Sequence, residues 1–364
     1  MSLTPMKTKL VYVLTCSSED NYIEQALMAI YSTRYWNPNS HITLIVDNLT
    51  NNLISGQRVE ILNYISEKVV IPFEDDSLSM TYRSRFIKTT VRQIIDGDFL
   101  FIDCDTITQR PLSRIDSFQC EVGAVLESHL KVEEFCDSLY SLHKKRTQSI
   151  GVVLSEEKLY YSSGVLYVKD TPTAYALYNK WFIYWQDSYK IGLFADQPAL
   201  CKANREVGHI IKQIPDEYNC ILFTQPPFTS DASILHFSSY RNPSFLYTPS
   251  VLNSIKENGL NNDWIKQSIL NPNSTFLPFD YQVYHSTRKQ RSKWRKEIAF
   301  FLKGYKQYID SSFHFFPMSS RFRGFIVWFL QHGFISIGIT FWMAWKYLLL
   351  HHRGKVISDN ICRK

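Results

Sequence analysis

A chain of 364 residues, 45% hydrophobic and 15% aromatic, has the material for one large α/β domain with an appendage or for two domains, and global disorder is excluded. The net charge of +6 is unevenly placed along the chain, so its position carries more information than its size. Seven cysteines, odd in number and with no Cys-x-x-Cys pair, argue against a zinc ribbon and a disulfide scaffold and favour a reducing compartment.

Residues 1–9 are polar, and the apolar run 10–14 is too brief for a signal-peptide core, which points the catalytic part to the cytoplasm. Residues 9–15 (KLVYVLT) read as a first, central strand that breaks into Cys16-Ser17-Ser18 and then a helix with Ile23, Leu27, Ile30 and Tyr31 on one face and Ser18 or Asp20 as its N-cap. A strand end feeding small polar residues is where a nucleotide can lie, with Thr15 and Ser17 offering hydroxyls toward base or ribose; an ordinary βα turn has the same look. No Gly-x-Gly-x-x-Gly and no Walker lysine accompanies it. Residues 41–47 form a second strand ending in Asp47, which either touches a ribose or uracil edge or is a solvated strand end. A helix over 53–65 and a strand over 68–72 complete a β-α-β-α-β order, the signature of a doubly wound parallel sheet.

The next helix, 79–95, stacks Tyr82, Arg85 and Lys88 on one face by their spacing of three, with Arg83 and Arg92 on other faces. It feeds the stretch around which the chain is organised. Phe99-Leu100-Phe101-Ile102 reads as a strand buried on both faces, and it runs straight into Asp103-Cys104-Asp105. Ligands of open α/β sheets lie outside the carboxyl ends of the strands, and two hard oxygen donors there suit Mn²⁺ or Mg²⁺. Arg85 and Lys88 are then candidates to grip a diphosphate beside the metal, or they line a solvated helix face. Cys104, between the carboxylates, is counted with the donor-binding residues.

A turn at Arg110-Pro111-Leu112, a strand over 122–126, a short helix over 132–143 and a polar segment over 144–158, read as a surface loop, follow. The second informative stretch, 160–168, is a strand opening on Ser162-Ser163-Gly164, where backbone is closely approached. After a helix over 174–187, with Trp181 and Trp185 read as core, Asp196-Gln197 opens another. A carboxylate and an amide together can bond sugar hydroxyls and favour positive charge at an anomeric carbon, and Asp196 can equally be an N-cap. Residues 233–237 form a strand ending in His236, which either completes an Asp, Asp, His set or is a buried, satisfied histidine.

Taken in order, Arg85 and Lys88, Asp103-x-Asp105, Ser163-Gly164-Val165, Asp196-Gln197 and His236-Phe237 resemble the GT-A nucleotide-sugar glycosyltransferases over residues 9–243. The pattern is most similar to glycosyltransferase family 8, the retaining group that includes bacterial lipopolysaccharide galactosyl- and glucosyltransferases and glycogenin. The resemblance implies a UDP-sugar donor, Mn²⁺ (or Mg²⁺) on Asp103, Asp105 and His236, donor contacts from Arg85, Ser163 and Gly164, and reaction-centre contacts from Asp196 and Gln197. The chain departs from the family in four places. Ser162 stands where the family usually has Asn, and Ser239, Asn242 and Ser244 stand for Gly, Lys and Trp. Arg241 is adjacent as a substitute for the phosphate-touching lysine.

The C-terminal third is different in kind. Between 281 and 325 ten basic residues (Arg288, Lys289, Arg291, Lys293, Arg295, Lys296, Lys303, Lys306, Arg321, Arg323) face two acidic ones, Glu297 and Asp310. Trp294, Ile298, Phe301, Tyr305 and Tyr308 step by four and three, one helical stripe that lies on an anionic membrane surface or packs on the catalytic domain. Residues 325–350 are largely apolar, near the ~20 needed to span a bilayer. Basic residues flank both ends, so the segment is read as an interfacial or monotopic anchor, a single span being the alternative. The expected fold class is therefore α/β, a GT-A-type Rossmann-like, mostly parallel sheet flanked by helices over 1–250, with a basic, aromatic helical extension over 251–324 and a membrane-anchoring segment and basic tail over 325–364. The expected role is hexose transfer from a nucleotide sugar to a glycan or lipid-linked saccharide acceptor at the cytoplasmic face of the membrane, with no nucleic-acid partner, since no recognition motif accompanies the basic tail. A non-catalytic membrane scaffold on the same fold is the first rival. A nucleotidyltransferase is the second, although residues 16–20 lack the Gly-rich, basic loop it requires.

Overall fold

The computed structural model describes residues 6–222, 226, 228–238 and 247–272. The site described below lies within one compact unit, Met1–Phe135 with Tyr140–His285. Ten strands and eight α-helices occur among the described residues. In chain order they are β1 (Lys9–Leu14), α1 (Tyr22–Trp36), β2 (Ile42–Asp47), α2 (Asn48–Leu53), β3 (Glu67–Ile71), α3 (Met80–Ile94), β4 (Phe99–Ile102), β5 (Thr106–Thr108) and β6 (Val122–Leu126). There follow α4 (Asp137–Gln148), β7 (Tyr161–Val168), α5 (Pro172–Lys190), α6 (Gln197–Glu206), β8 (Ile211–Gln213), β9 (Cys220–Ile221), β10 (Ile234–His236), α7 (Pro249–Asn258) and α8 (Asp263–Leu270).

Seven strands make one sheet in the order β3-β2-β1-β4-β7-β6-β8, and β5-β10-β9 make a second, smaller one. The large sheet is parallel except at β7, which pairs antiparallel with both β4 and β6. Every residue of β2, β4, β6 and β7 is buried, which is why β4 and β6 read as continuous apolar runs rather than alternating ones. One face of the sheet packs on α1 with α7, α8 and the small sheet, and the other on α3, α5 and α6. α7 and α8 deliver Val251, Leu252, Ile255, Ile265 and Ile269 to the first of these cores. Trp181 and Trp185 are fully buried in the second.

Four readings of the sequence are corrected. The helix expected over 53–65 begins earlier, because the Asp47 carboxylate caps α2 by accepting from Thr50 N–H. It ends at Leu53, and Gly56–Tyr64, opening on a glycine of positive φ, is 3₁₀. Asp47 is therefore neither a ribose contact nor a solvated strand end. It is fully buried and paired with Arg83 at 2.6 Å. The N-cap position of α1 is Asn21 rather than Ser18 or Asp20, but Asp20 does serve the helix start: its Oδ1 accepts from Tyr22 N–H at 3.0 Å while its Oδ2 accepts from Ser17 N–H and Oγ–H at 2.6 and 2.8 Å. The helix expected over 132–143 is a 3₁₀ turn, Val132–Glu134, followed by α4, so the first residues of the expected loop 144–158 are helical.

Among the described residues no helix is long and apolar enough to cross a membrane. The basic, aromatic stripe and the apolar stretch 325–350 lie outside the described residues, as do Arg241 and its neighbours Ser239, Asn242 and Ser244.

Candidate functional site

The chain winds outward from β1 to β3, then returns to place β4 on the other side of β1. The carboxyl ends of β1 and β4 therefore open a crevice at the point where the strand order reverses, the position where open α/β sheets bind ligands. β1 delivers Thr15 and Ser17 to it, and β4 delivers Asp103-Cys104-Asp105. β7 runs the other way, so its beginning, not its end, meets the end of β4. Asp103 N–H donates to Gly164 O at 2.8 Å. Asp105 leads into β5, and β10 pairs with β5 so that His236 lies opposite Thr106, with Phe237 N–H donating to Asp105 O at 2.9 Å. Three segments distant in sequence are thus pinned by backbone hydrogen bonds at one edge.

Asp103, Asp105 and His236 converge there, each offering one ligand atom within 4.8 Å of the others. His236 Nε2 is 3.1 Å from Asp105 Oδ1. Burial pushes the Asp103 carboxyl above its usual range and Asp105 adds to the push, while Lys88 opposes it. That is a site short of positive charge, and a hard O, O, N donor set fits Mn²⁺ or Mg²⁺. Burial works against the charged form of His236, but Asp105 outweighs it and raises the imidazole above 6.5. A metal ligand must be neutral, so a divalent ion competes with this proton. Mn²⁺ affinity is accordingly expected to weaken as pH falls through the raised value, by about tenfold per unit below it. Calorimetric titrations at pH 6, 7 and 8 check this, and an affinity unchanged across that range contradicts it.

Beside the carboxylates lies a cation cluster built by α3 and the start of α6. Lys88 is almost wholly buried, and its Nζ donates to Asp103 Oδ1 and Oδ2 at 3.0 and 3.2 Å and reaches Ser163 Oγ at 3.5 Å and Asp196 Oδ2 at 3.6 Å. Arg85 Nε pairs with Asp196 Oδ1 at 3.1 Å. The Arg85 side chain remains about a third exposed (34%), so its fork is open to an incoming phosphate. Asp196 holds the N-cap position of α6 yet makes no side-chain cap bond, because two cations outcompete the helix terminus for it. Burial opposes its charge, but Lys88 and Arg85 prevail and hold the carboxyl below its usual range. Gln197 does not reach outward through its amide hydrogens, since Nε2 donates to Glu127 Oε2 and to Tyr161 O, both at 2.8 Å.

The remaining expected residues are placed as follows. Thr15 Oγ1 donates to Met80 O at 3.4 Å, tying the end of β1 to the start of α3, and Ser17 is exposed and folded onto Asp20. Cys104 Sγ donates to Val13 O at 3.3 Å, and burial, with Asp103 and Asp105 beside it, drives the thiol well above its ordinary value, so it is a neutral packing group rather than a thiolate ligand. Gly164 is where a side chain has no room: a Cβ would stand 2.4 Å from His236 Cε1 and 3.1 Å from Asp103 Oδ2.

Three residues of the site escaped sequence reasoning. Glu127, which positions Gln197, carried a usable signal, a carboxylate immediately after a buried strand. Tyr22, 37% exposed at the start of α1, lies close enough to Arg85 to favour its charge. Asn219 carried none, because β9 beside it is two residues long.

No family model and no curated protein matches the chain. Structural comparison finds it similar to mouse xyloside xylosyltransferase 1 in its apo form, at 14% identity and TM-score 0.41 over 64% of this chain and 97% of that one. It finds it similar also to the galactosyltransferase LgtC in complex with donor and acceptor sugar analogues (14%, TM-score 0.44, over 76% and 100%) and to the glycosyltransferase GlyE of Streptococcus pneumoniae TIGR4 (17%, TM-score 0.44, over 75% and 66%).

Proposed function

We propose that this chain is a metal-dependent glycosyltransferase of the GT-A type that moves a hexose from a UDP-sugar to a glycan or lipid-linked saccharide acceptor, with retention of anomeric configuration. The observation that carries the proposal is the joining, at one strand-end crevice, of an Asp103–Asp105–His236 donor set to the Arg85–Lys88–Asp196 ion cluster. Asp103, Asp105 and His236 would hold a divalent ion, which would supply positive charge beside the departing diphosphate. Arg85, partly open to solvent, takes a phosphate oxygen in its fork. Lys88 is fixed between Asp103 and Asp196, so its charge is already oriented before substrate arrives, which is the arrangement that favours charge developing in a transition state. The Asp196 carboxylate stays ionised beside the sugar, where it accepts from hydroxyls and steadies an oxocarbenium-like carbon. Glu127 fixes Gln197 next to it, and the acceptor hydroxyl is brought close by binding rather than by a strong base. Retention is supported by the resemblance to family 8, and placement at the cytoplasmic face of a membrane by the basic, aromatic and apolar segments 281–350 of the sequence.

The test is donor hydrolysis. Full-length protein is given a panel of nucleotide sugars with Mn²⁺ or with EDTA, and released nucleotide is measured. Metal-dependent release from one donor is expected, with Asp103→Asn lowering the rate by about 100-fold, the loss typical of one electrostatic partner. No release from any donor, together with no metal-dependent UDP binding, refutes the proposal.

A further inference from the structure

The connection from β1 to α1, residues 15–21, forms one lip of the crevice, and two of its carbonyl oxygens are held by cations. The Asp20 carboxylate organises the loop from within, Oδ2 accepting from Ser17 N–H and Oγ–H and Oδ1 from Tyr22 N–H. From outside, Lys256 of α7 donates through Nζ to Ser18 O at 2.9 Å and to Asp20 O at 3.5 Å. Arg58 Nη2 donates to the same Asp20 O at 3.2 Å, while its Nε and Nη2 hold Glu24 in a buried ion pair. One turn before Lys256 on α7, Asn253 Oδ1 accepts from Asn21 Nδ2–H at 3.3 Å. Among the described residues no carboxylate lies within ion-pair distance of Lys256, so its ammonium serves the loop alone.

A loop ordered before its ligand arrives adds no ordering cost to binding. This loop starts at a strand end where the strand order reverses, and it finishes at Tyr22, close enough to Arg85 to favour its charge. Its carbonyl oxygens at 18 and 20 would repel a phosphate, and both are engaged by cations instead. Resting on the glycosyltransferase reading above, we infer that Lys256 is a positioning residue of the donor site: by holding Ser18 O and Asp20 O it fixes the β1–α1 loop in the form that receives the nucleoside diphosphate of the donor. Without Lys256, Asp20 O keeps Arg58, but Ser18 O has no protein donor among the described residues. Such a tether acts on donor binding rather than on the chemical step, because the charges at the reaction centre, Lys88 with Asp103 and Asp196, are held by each other and not by α7.

The inference is tested on the full-length protein in two ways. Amide hydrogen exchange over residues 15–22 is followed without metal or nucleotide, and UDP affinity with Mn²⁺ and the kinetics of donor hydrolysis are measured on the same variants. Lys256→Met keeps the length of the side chain and removes its donors. It is expected to speed exchange over 15–22 about tenfold, to weaken UDP and raise the donor KM about tenfold, and to leave kcat within about twofold, the pattern of a binding loop that has lost its preorganisation. Lys256→Arg restores a cation with several donors and is expected to return UDP affinity to within about threefold of wild type. Val251→Ala is the control, because it thins the buried packing of α7 without touching the loop: Tm should fall while exchange over 15–22 and UDP affinity hold. Unchanged exchange and affinity in Lys256→Met overturn the inference, as does an equal loss in Val251→Ala, which would reduce Lys256 to an anchor of α7. A fall in kcat with an unchanged donor KM overturns it as well. Wild type that binds no nucleotide overturns the glycosyltransferase reading, and the donor role of Lys256 with it, whereas the exchange measurement reads the tether without any ligand.

Discussion

Lys88→Met is expected to cost both the activity and much of the fold. Methionine keeps the length of the side chain and discards the charge. The ammonium it replaces is 3% exposed and serves two carboxylates, Asp103 at 3.0 Å and Asp196 at 3.6 Å. Removing one partner of a buried ion pair leaves an uncompensated charge and typically costs about 3–5 kcal/mol, a large fraction of the stability of an ordinary domain. Donor turnover should fall by about 1,000-fold, the upper end for loss of one preorganised charge, because two carboxylates are disturbed at once. The pH dependence has a definite sign. In the wild type the Asp196 carboxyl is held below its usual value, so its contribution to stability is present above pH 3.8 and disappears as pH falls through the lower folded value. Without Lys88 the folded value climbs, and the acid limb of the stability curve moves to higher pH. Urea unfolding across pH 3–7 reads both effects. A variant within 1 kcal/mol of wild type, with an unmoved acid limb, would show that Arg85 alone neutralises the pair. Combining Lys88→Met with Asp196→Asn should recover part of the lost stability and none of the turnover.

The second large effect concerns volume rather than charge. Gly164 does not have a positive φ, so its backbone accepts a side chain without conformational strain. The obstacle is that Cβ would meet His236 Cε1 at 2.4 Å and Nδ1 at 2.8 Å. The ring cannot retreat, because Nδ1 is fixed by Asn219 and Nε2 faces Asp105. Gly164→Ala is therefore expected to remain folded at a cost of about 1–3 kcal/mol, the usual range for overpacking, and to lose Mn²⁺ affinity by roughly 100-fold, the upper range for a misoriented ligand. Gly123→Ala is the control. Its Cβ would be just as crowded, 2.4 Å from Ile214 Cγ2, but on β6 away from the ligands, so stability should fall and Mn²⁺ affinity should not. Equal metal affinities in the two variants would contradict the role assigned to Gly164.

The large sheet was legible because its inner strands are buried on both faces, and short continuous apolar runs such as Phe99-Leu100-Phe101-Ile102 and Val122–Leu126 belong in the middle of a sheet covered on both sides. The candidate metal ligands were legible for a related reason: polar side chains abutting such runs stand at strand ends. What escaped notice was short or depended on partners far along the chain. β5 is three residues and β9 two, too brief to show any period. The antiparallel sense of β7 leaves no mark on a strand buried on both faces. The fate of Asp47 was unreadable because its partner, Arg83, arrives from a helix thirty-six positions later, and a buried ion pair has no local spacing. Gly164 was singled out correctly as a place of close approach, but the group that approaches, a histidine from β10, lies 72 positions away in the numbering.

The reversed sense of β7 has a consequence for how such a protein can change. β6 leaves the sheet at the site, and β7 re-enters the sheet at the site, so the whole excursion over residues 127–160 starts and finishes beside the ligands. Glu127 N–H to Tyr160 O, 2.8 Å, ties its neck. His129 within it accepts from Ile221 N–H at 3.0 Å and so belongs to the site's frame, whereas the exposed turn at Gly151 can be lengthened at little cost, because closing a longer loop adds only slowly to its entropic cost. Variation in the length of that turn is therefore a change the sheet can absorb while Asp103, Asp105 and His236 keep their places.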